Sequence, residues 1–376
     1  MKYKKKIPVF DFVLGKEEKN FVNDCLNKSL ISEGAYVRKF EKDFSKFVDC
    51  KFGIATTSGT TALHLACKTL GIRKDDQVLV SSSTNMASAF SVDYCEAIPI
   101  PIDIEKKTWQ MDVNKIEKKI NKKTKAIMVV HLFGQPVDMD PVLKVSKKYN
   151  LKIIEDCAEA HGVEYKGKKV GSIGDIGAFS FFANKTFTSG EGGMIVTNFK
   201  KLERKARSLK NLSYGKVNRF LHDDIGFNYR LPNISAALAL GQFAQRNKIF
   251  SQKRRIYERY KKNLKNVKGV KIPIIKEWTT KYIMWVFNIY LDKNFPITRD
   301  QLIKNLALKN IETRNAFVPI NKQRVLIRKY GLFKENDCPN ANYIMDNGFY
   351  LPSGNNIKNE EIDFVCNEII KNSKLK

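Results

Sequence analysis

Three segments of this chain gather residue types that do chemistry. The first, Thr57-Ser58-Gly59-Thr60-Thr61-Ala62-Leu63, is a small-residue turn between a strand-like run and a helix-like one. Free backbone N–H groups and hydroxyls at the positive end of a helix suit a phosphate, although Ser and Thr also serve there as ordinary caps. In the second, Ile153-Ile154-Glu155-Asp156-Cys157-Ala158-Glu159-Ala160-His161-Gly162, an apolar strand runs straight into acids. A carboxylate at the C-terminal end of a parallel strand lies where α/β sheets bind ligands. Once buried it needs a cationic partner, such as a protonated ring nitrogen; the other reading is an Asp that caps the next helix. His161 reads as a hydrogen-bonded packing residue. The third segment is an aromatic strand, Phe179-Ser180-Phe181-Phe182-Ala183-Asn184-Lys185, that ends at a lysine before the glycine-rich turn Gly190-Glu191-Gly192-Gly193. An ammonium held against aromatic walls loses hydration, which favours the free amine able to attack a carbonyl.

These side chains need a scaffold, and hydrophobic periodicity supplies one. Helical faces open the chain over residues 14–29, with Phe21, Val22, Cys25 and Leu26 aligned, and over 36–48, with Val37, Phe40, Phe44, Phe47 and Val48 aligned. From residue 52 strands and helices alternate, and this rhythm predicts an α/β domain with a largely parallel sheet. A long helical pattern from Ile234 through Leu264 leads out of it. Beyond lie a strand over Tyr282–Leu291, a helix opened by the Thr298-x-x-Gln301 capping pattern and a last helix begun at Asn359. With 376 residues the chain exceeds the ~250 at which single cores stop growing. We expect a large α/β domain over 1–245, N-terminal helices included, and a smaller α+β domain over 246–376.

Composition narrows the function. Hydrophobic residues make up 43%, enough to exclude general disorder, and no run approaches the roughly 20 apolar residues of a membrane span. Lys+Arg 67 against Asp+Glu 39 gives +28, which raises anionic partners. The charge is scattered, as in Lys118-Lys119 and Lys200-Lys201, with no basic tail or aromatic-interleaved strand, so nucleic acid is not an expected partner. Seven cysteines without a C-x-x-C pair or metal-ligand spacing read as reduced thiols and no metal site. Pro8 and Asp11 interrupt any export signal, and Ser373-Lys374-Leu375 is followed by Lys376; a cytoplasmic location is expected.

A phosphate-cradling helix start, an aspartate at a strand end and a strand-borne lysine with a nearby serine are together the parts that hold pyridoxal phosphate. Their order and spacing resemble the DegT-type nucleotide-sugar aminotransferases. That family has the aspartate-aminotransferase-like fold, type I of the pyridoxal phosphate-dependent transferases: a mostly parallel sheet with helices on both faces and a smaller α+β C-terminal domain. The resemblance runs nearly end to end, through Ser32-Glu33-Gly34-x-x-Val37-x-x-Phe40-Glu41, Ser58–Leu63, His131-Leu132-Phe133-Gly134-Gln135-Pro136, Glu155–Gly162, Phe179–Gly193, Gly226-Phe227-Asn228-Tyr229-Arg230 and Glu312-Thr313-Arg314. It implies Lys185 as Schiff-base lysine and proton carrier, and Asp156 as partner of the pyridine nitrogen. Glu159 would sit beside the cofactor's phenolic oxygen, where many relatives have Gln. Gly59, Thr60 and Ser180 would bind the phosphate, joined by Asn228 from the other subunit of a homodimer with composite active sites. Arg230 and Arg314 would contact a substrate anion, and His131 would be structural.

The resemblance also implies the reaction: transfer of an amino group from L-glutamate to a nucleotide-linked 4-keto-6-deoxy sugar, in cell-surface polysaccharide biosynthesis. Rivals are transaminases on UDP- or dTDP-linked sugars, on 3-keto sugars or on N-acetylated 4-keto sugars. A sugar 3-dehydratase, whose relatives carry His in place of the lysine, and a basic nucleic-acid-binding protein on the same fold are opposed by Lys185 and Asp156. Two positions depart from the family pattern. Asn85 falls where an aromatic side chain is expected to stack on the pyridine ring, and Asn315-Ala316 are smaller than expected beside the sugar.

Overall fold

The computed structural model describes residues 3, 5–12, 14–215 and 217–375. Helices α1 (Lys16–Asn27) and α2 (Ala35–Phe47) precede strand β1 (Phe52–Thr56) and helix α3 (Gly59–Leu70). Then come β2 (Gln77–Ser81), α4 (Ala87–Asp93), β3 (Ile98–Ile102), β4 (Thr124–Val130), α5 (Met139–Tyr149) and β5 (Lys152–Asp156). A short hairpin, β6 (Glu164–Tyr165) and β7 (Lys168–Lys169), leads to β8 (Ile176–Ser180), β9 (Gly193–Thr197), α6 (Lys200–Lys210) and α7 (Asn233–Ala244).

Seven of these strands form one sheet in the order β1-β9-β8-β5-β4-β2-β3, with β9 antiparallel to both neighbours and the remaining pairs parallel. The period-2 rule assigns its two faces. On β4, Ile127 and Val129 join one core cluster and Ala126 and Met128 the other; Phe179 and Ala178 on β8 divide in the same way. Phe40 and Phe44 of α2 and Ala236 of α7 cover the first face, while Leu63 of α3, Ala89 of α4 and Ala206 of α6 cover the second. The sheet is thus buried on both sides, as a parallel sheet must be.

The rest of the chain comprises α8 (Arg246–Leu264), β10 (Val270–Lys271), β11 (Thr279–Lys281), β12 (Phe287–Leu291), α9 (Arg299–Ala307), β13 (Arg314–Asn315), α10 (Arg324–Tyr330), α11 (Pro339–Asn347), β14 (Gly348–Leu351) and α12 (Asn359–Asn372). An antiparallel sheet of order β10-β12-β14-β13 packs against Ile256, Leu302 and Ile362 from α8, α9 and α12. Ile7 joins that cluster too, so the N-terminal segment reaches back to the C-terminal elements.

Several expectations shift by a few residues. The helix foreseen over 234–264 is broken at Gln245, where φ −90° and ψ 7° leave the helical region and the side chain donates 2.7 Å to Glu18 Oε1. Leu26, placed on the apolar face of the first helix, is about half exposed. The strand foreseen from Tyr282 begins at Phe287, because residues 282–286 form no ladder. Among the described residues no helix is long and apolar enough to cross a membrane.

Candidate active site

Strand ends at β1, β2, β4, β5 and β8 surround a cleft of about 240 Å³ that brings together Gly59, Thr60, Asp156, Glu159, Ser180 and Lys185. At one side α3 begins. Ser58 Oγ accepts the Thr61 N–H at 3.1 Å and the Ser58 N–H donates 2.9 Å to Thr61 Oγ1, a reciprocal cap. The cap uses the third amide of the helix and leaves those of Gly59 and Thr60, which no turn of the helix can satisfy. A Cβ at Gly59 would lie 2.7 Å from Ser180 Cβ, so only glycine lets the helix start approach the end of β8.

Lys185 is not on a strand as foreseen. β8 ends at Ser180, and Lys185 sits in a turn closed by its N–H donating 2.9 Å to Phe182 O. Alternation explains the aromatic run: Phe179 and Phe181 point to the opposite face, against Phe44, while Phe182 lines the cleft. The wall beside the lysine is Trp285, whose ring centre is 4.1 Å from Lys185 Nζ and whose indole N–H donates 2.7 Å to Asn184 O. Glu159 Oε1 lies 3.6 Å from the same ammonium.

Two of the cleft's carboxylates, Asp156 and Glu159, are buried, whereas Glu191 is exposed. Asp156, at the end of β5, accepts from Ser88 Oγ at 2.7 Å and from the Ala158 N–H at 3.1 Å. Burial still holds its carboxyl above the ordinary range, against these bonds and the charge of Lys185. Such a group gains from a nearby cation. Burial likewise pushes Glu159 up to about 7, opposed by Lys185 and by the Phe133 N–H, which donates 3.1 Å to Glu159 Oε2. Phe133 has φ +55°, a left-handed conformation uncommon for a bulky residue, and its ring stacks between Trp285 and Phe317.

His131 is a brace. Its Nδ1 accepts the Val137 N–H, which fixes the tautomer that donates from Nε2 to Glu155 at 3.0 Å. His131, Glu155 and Cys157 offer ligand atoms within 4.8 Å of one another, but Glu155 already accepts the N–H groups of Gly171, Ile173 and Gly174. His161, read as hydrogen-bonded, instead packs among Phe44, Phe179 and Phe187 with neither ring nitrogen in a well-formed hydrogen bond. Burial pushes its ring down to about 3, so it is neutral packing.

Three expected contacts lie outside this cleft. Asn228 is exposed and accepts 3.0 Å from Arg230 Nε. Arg314 pairs with Glu312 at 3.0 Å and is registered opposite Tyr350, a cleft residue. Asn85 stands at the rim, its Oδ1 accepting from the Ala87 N–H; the aromatic rings of the lining are those of Phe182, Trp285, Phe317 and Tyr350. Sequence reasoning missed Ser88 and Trp285. For Ser88 the only signal was its i, i+4 relation to Thr84, whose hydroxyl lies 2.8 Å away. Trp285 lies a hundred residues from the lysine it touches and carries no local signal.

The donor set fits pyridoxal phosphate: free amides and a hydroxyl for the phosphate, a buried carboxylate in want of a cation, and an amine for the aldehyde. The chain belongs to the DegT/DnrJ/EryC1/StrS aminotransferase family, whose pattern matches residues 13–370, and is a pyridoxal phosphate-dependent sugar aminotransferase. It is 40% identical over 370 residues to GDP-perosamine synthase of Escherichia coli O157:H7, covering 98% of each chain. It is 38% identical over 368 residues to GDP-perosamine synthase of Vibrio cholerae, covering 97% of this chain and 98% of that one. Among solved structures, S. venezuelae DesV superposes with a TM-score of 0.91 at 26% identity, covering 99% of this chain and 100% of that one. An aminotransferase from Psychrobacter cryohalolentis superposes with a TM-score of 0.88 at 28% identity, over 96% and 98%.

Proposed function

We propose that this enzyme moves an amino group from L-glutamate to a GDP-linked 4-keto-6-deoxy sugar, as a GDP-perosamine synthase, in making the sugar units of a cell-surface polysaccharide such as O-antigen or capsule. The observation that carries this reading is the full-length 40% identity to an enzyme of that name, joined to a cleft that holds Lys185, Asp156 and Glu159 together. Bound in that cleft, pyridoxal phosphate supplies the electron sink that makes the carbon beside the amino group acidic.

The residues divide the remaining work. The Gly59 and Thr60 amides and the Ser180 hydroxyl bind the phosphate. Asp156, with one oxygen held by Ser88 and the other by the Ala158 N–H, keeps a proton on the ring nitrogen. Lys185 Nζ would take the proton from the substrate carbon that carries the amino group and deliver it to the cofactor carbon bonded to the same nitrogen, and Glu159, poised near neutrality, holds or releases a proton 3.6 Å away. Trp285 and Phe182 exclude water from that amine.

Residues 1–245 serve as the cofactor-binding domain and 246–376 as the smaller domain that supplies Trp285, Phe317 and Tyr350 to the cleft. The working unit is a homodimer: exposed Asn228 reaches the partner's phosphate, and the preceding segment presents exposed Val217, Phe220, Leu221 and Ile225, which a second copy would bury. The cytoplasm suits seven unpaired cysteines. Incubating enzyme and glutamate with GDP-, UDP- and dTDP-linked keto sugars, 3-keto and N-acetylated 4-keto forms included, and identifying products by mass and NMR tests the reading. Amination of a UDP- or dTDP-linked sugar in preference to the GDP-linked one would replace it.

A further inference from the structure

Lys253 is bonded to the backbone of a cleft residue, Trp285, and has no part in the mechanism above. It lies on α8, 4% exposed, and among the described residues it forms no ion pair. Its ammonium donates instead to two backbone carbonyls, Trp285 O at 3.0 Å and Ser353 O at 2.8 Å. Burial lowers its pKa to about 8, and the charge that opposes this is Asp11. A buried cation without a counter-ion persists only where hydrogen bonds replace its hydration. Both bonds go to segments no strand ladder fixes: Trp285 precedes β12 and Ser353 follows β14. Ser353 in turn accepts the Phe287 N–H on its hydroxyl at 2.9 Å, and Tyr260, two turns along α8, donates 2.9 Å to Pro352 O.

The other side of Trp285 faces the chemistry. Its indole N–H holds Asn184 O, the carbonyl next to Lys185, and its ring lies against the Lys185 ammonium. The lysine turn, which belongs to no strand, is therefore gripped at two points by one side chain whose own backbone is tied down by Lys253. We infer that Lys253 is a positioning residue for Lys185, acting through Trp285. This rests on the assignment of Lys185 as the cofactor lysine. A misplacement of the reacting amine is costly in rate even when binding is intact.

The test is a double-mutant cycle of Lys253→Met and Trp285→Phe on the full-length enzyme, with two readouts: steady-state kinetics, and the rate at which added pyridoxal phosphate generates visible absorbance in the cofactor-free protein. Each single variant is expected to lower kcat and slow cofactor uptake by about tenfold, with KM for both substrates changed little. The double variant is expected to be no worse than the poorer single, because both cut the same chain of contacts. A folded Lys253→Met protein with wild-type kcat and uptake overturns the inference, as do single effects that multiply in the double variant or a Trp285→Phe enzyme that behaves as wild type. If Lys253→Met does not fold, Lys253→Gln, which keeps two N–H donors, takes its place; failure of that variant to fold assigns Lys253 to the fold and not to the site. Wild-type protein that gains no visible band with pyridoxal phosphate would instead remove the assignment of Lys185.

Discussion

Removing the charge of Glu159 should change how stability depends on pH, and by an amount the structure sets. In the folded cofactor-free chain burial pushes this carboxyl up to about 7, against an ordinary 4.5. Between those values the folded state holds a proton that the unfolded chain has released, so folding is favoured at low pH and the advantage is lost as pH rises through 7. From pH 5 to pH 8 the integrated difference is somewhat under two pH units, or about 2.5 kcal/mol. In Glu159→Gln the amide keeps an oxygen for the Phe133 N–H but does not titrate. Urea unfolding of both cofactor-free proteins at pH 5 and pH 8 isolates the effect, since other titrating groups cancel between them. Wild type should lose about 2.5 kcal/mol more than the variant over that interval. Parallel losses would show that Glu159 is ionised across the range and that its burial does not set its protonation.

Other outcomes follow from the same geometry. Lys185→Ala should abolish both the visible absorbance of the cofactor-loaded protein and its turnover; an unchanged spectrum and rate would remove the lysine from the site. Asp156→Asn should still take up cofactor but lose most activity, because an uncharged partner no longer holds the ring-nitrogen proton; near wild-type turnover would count against that role. Arg314→Ala should raise KM for the sugar nucleotide by about tenfold, one charge-assisted contact, and an unchanged KM would place Arg314 outside the substrate's reach. Added salt should lower kcat/KM only gently, since charges beyond about 8 Å are screened; a slope as steep as that of a nucleic-acid binder would point to a different ligand. Sedimentation should show a dimer at assay concentrations, and a fully active monomer would refute the composite site.

What was legible in the sequence was what local rules encode. The reciprocal caps at Ser58–Thr61 and Thr298–Gln301 were readable because three-residue spacing specifies them, and Asp156 because an apolar run announces a strand and its end. The lysine turn was misread because aromatic residues favour strands, and nothing in Phe181-Phe182-Ala183-Asn184 states that the ladder stops at Ser180. The break at Gln245 was hidden for a related reason: helical periodicity continues through it, and the residue that draws its side chain away, Glu18, lies more than two hundred positions upstream. Trp285 and Ser88 became visible only when tertiary contacts placed them beside Lys185 and Asp156, and Lys253 only through its bond to Trp285 O.

The cleft is built from two sources, and the partition has a use for engineering. Asp156 at the end of β5, Glu159 just after it and Lys185 in the turn after β8 are the groups proposed to handle the amino group, whereas Phe317 and Tyr350, with Arg314 registered beside Tyr350, come from the antiparallel sheet and its connections. A library confined to residues 314–316 and 350 would therefore vary the residues proposed to face the sugar while Lys185, Asp156 and Glu159 stayed in place, and Phe317 is left out because it stacks on Phe133, whose N–H holds Glu159. On the proposed assignment, catalytic competence and substrate choice are separately selectable traits, because they rest on segments more than a hundred residues apart in the chain.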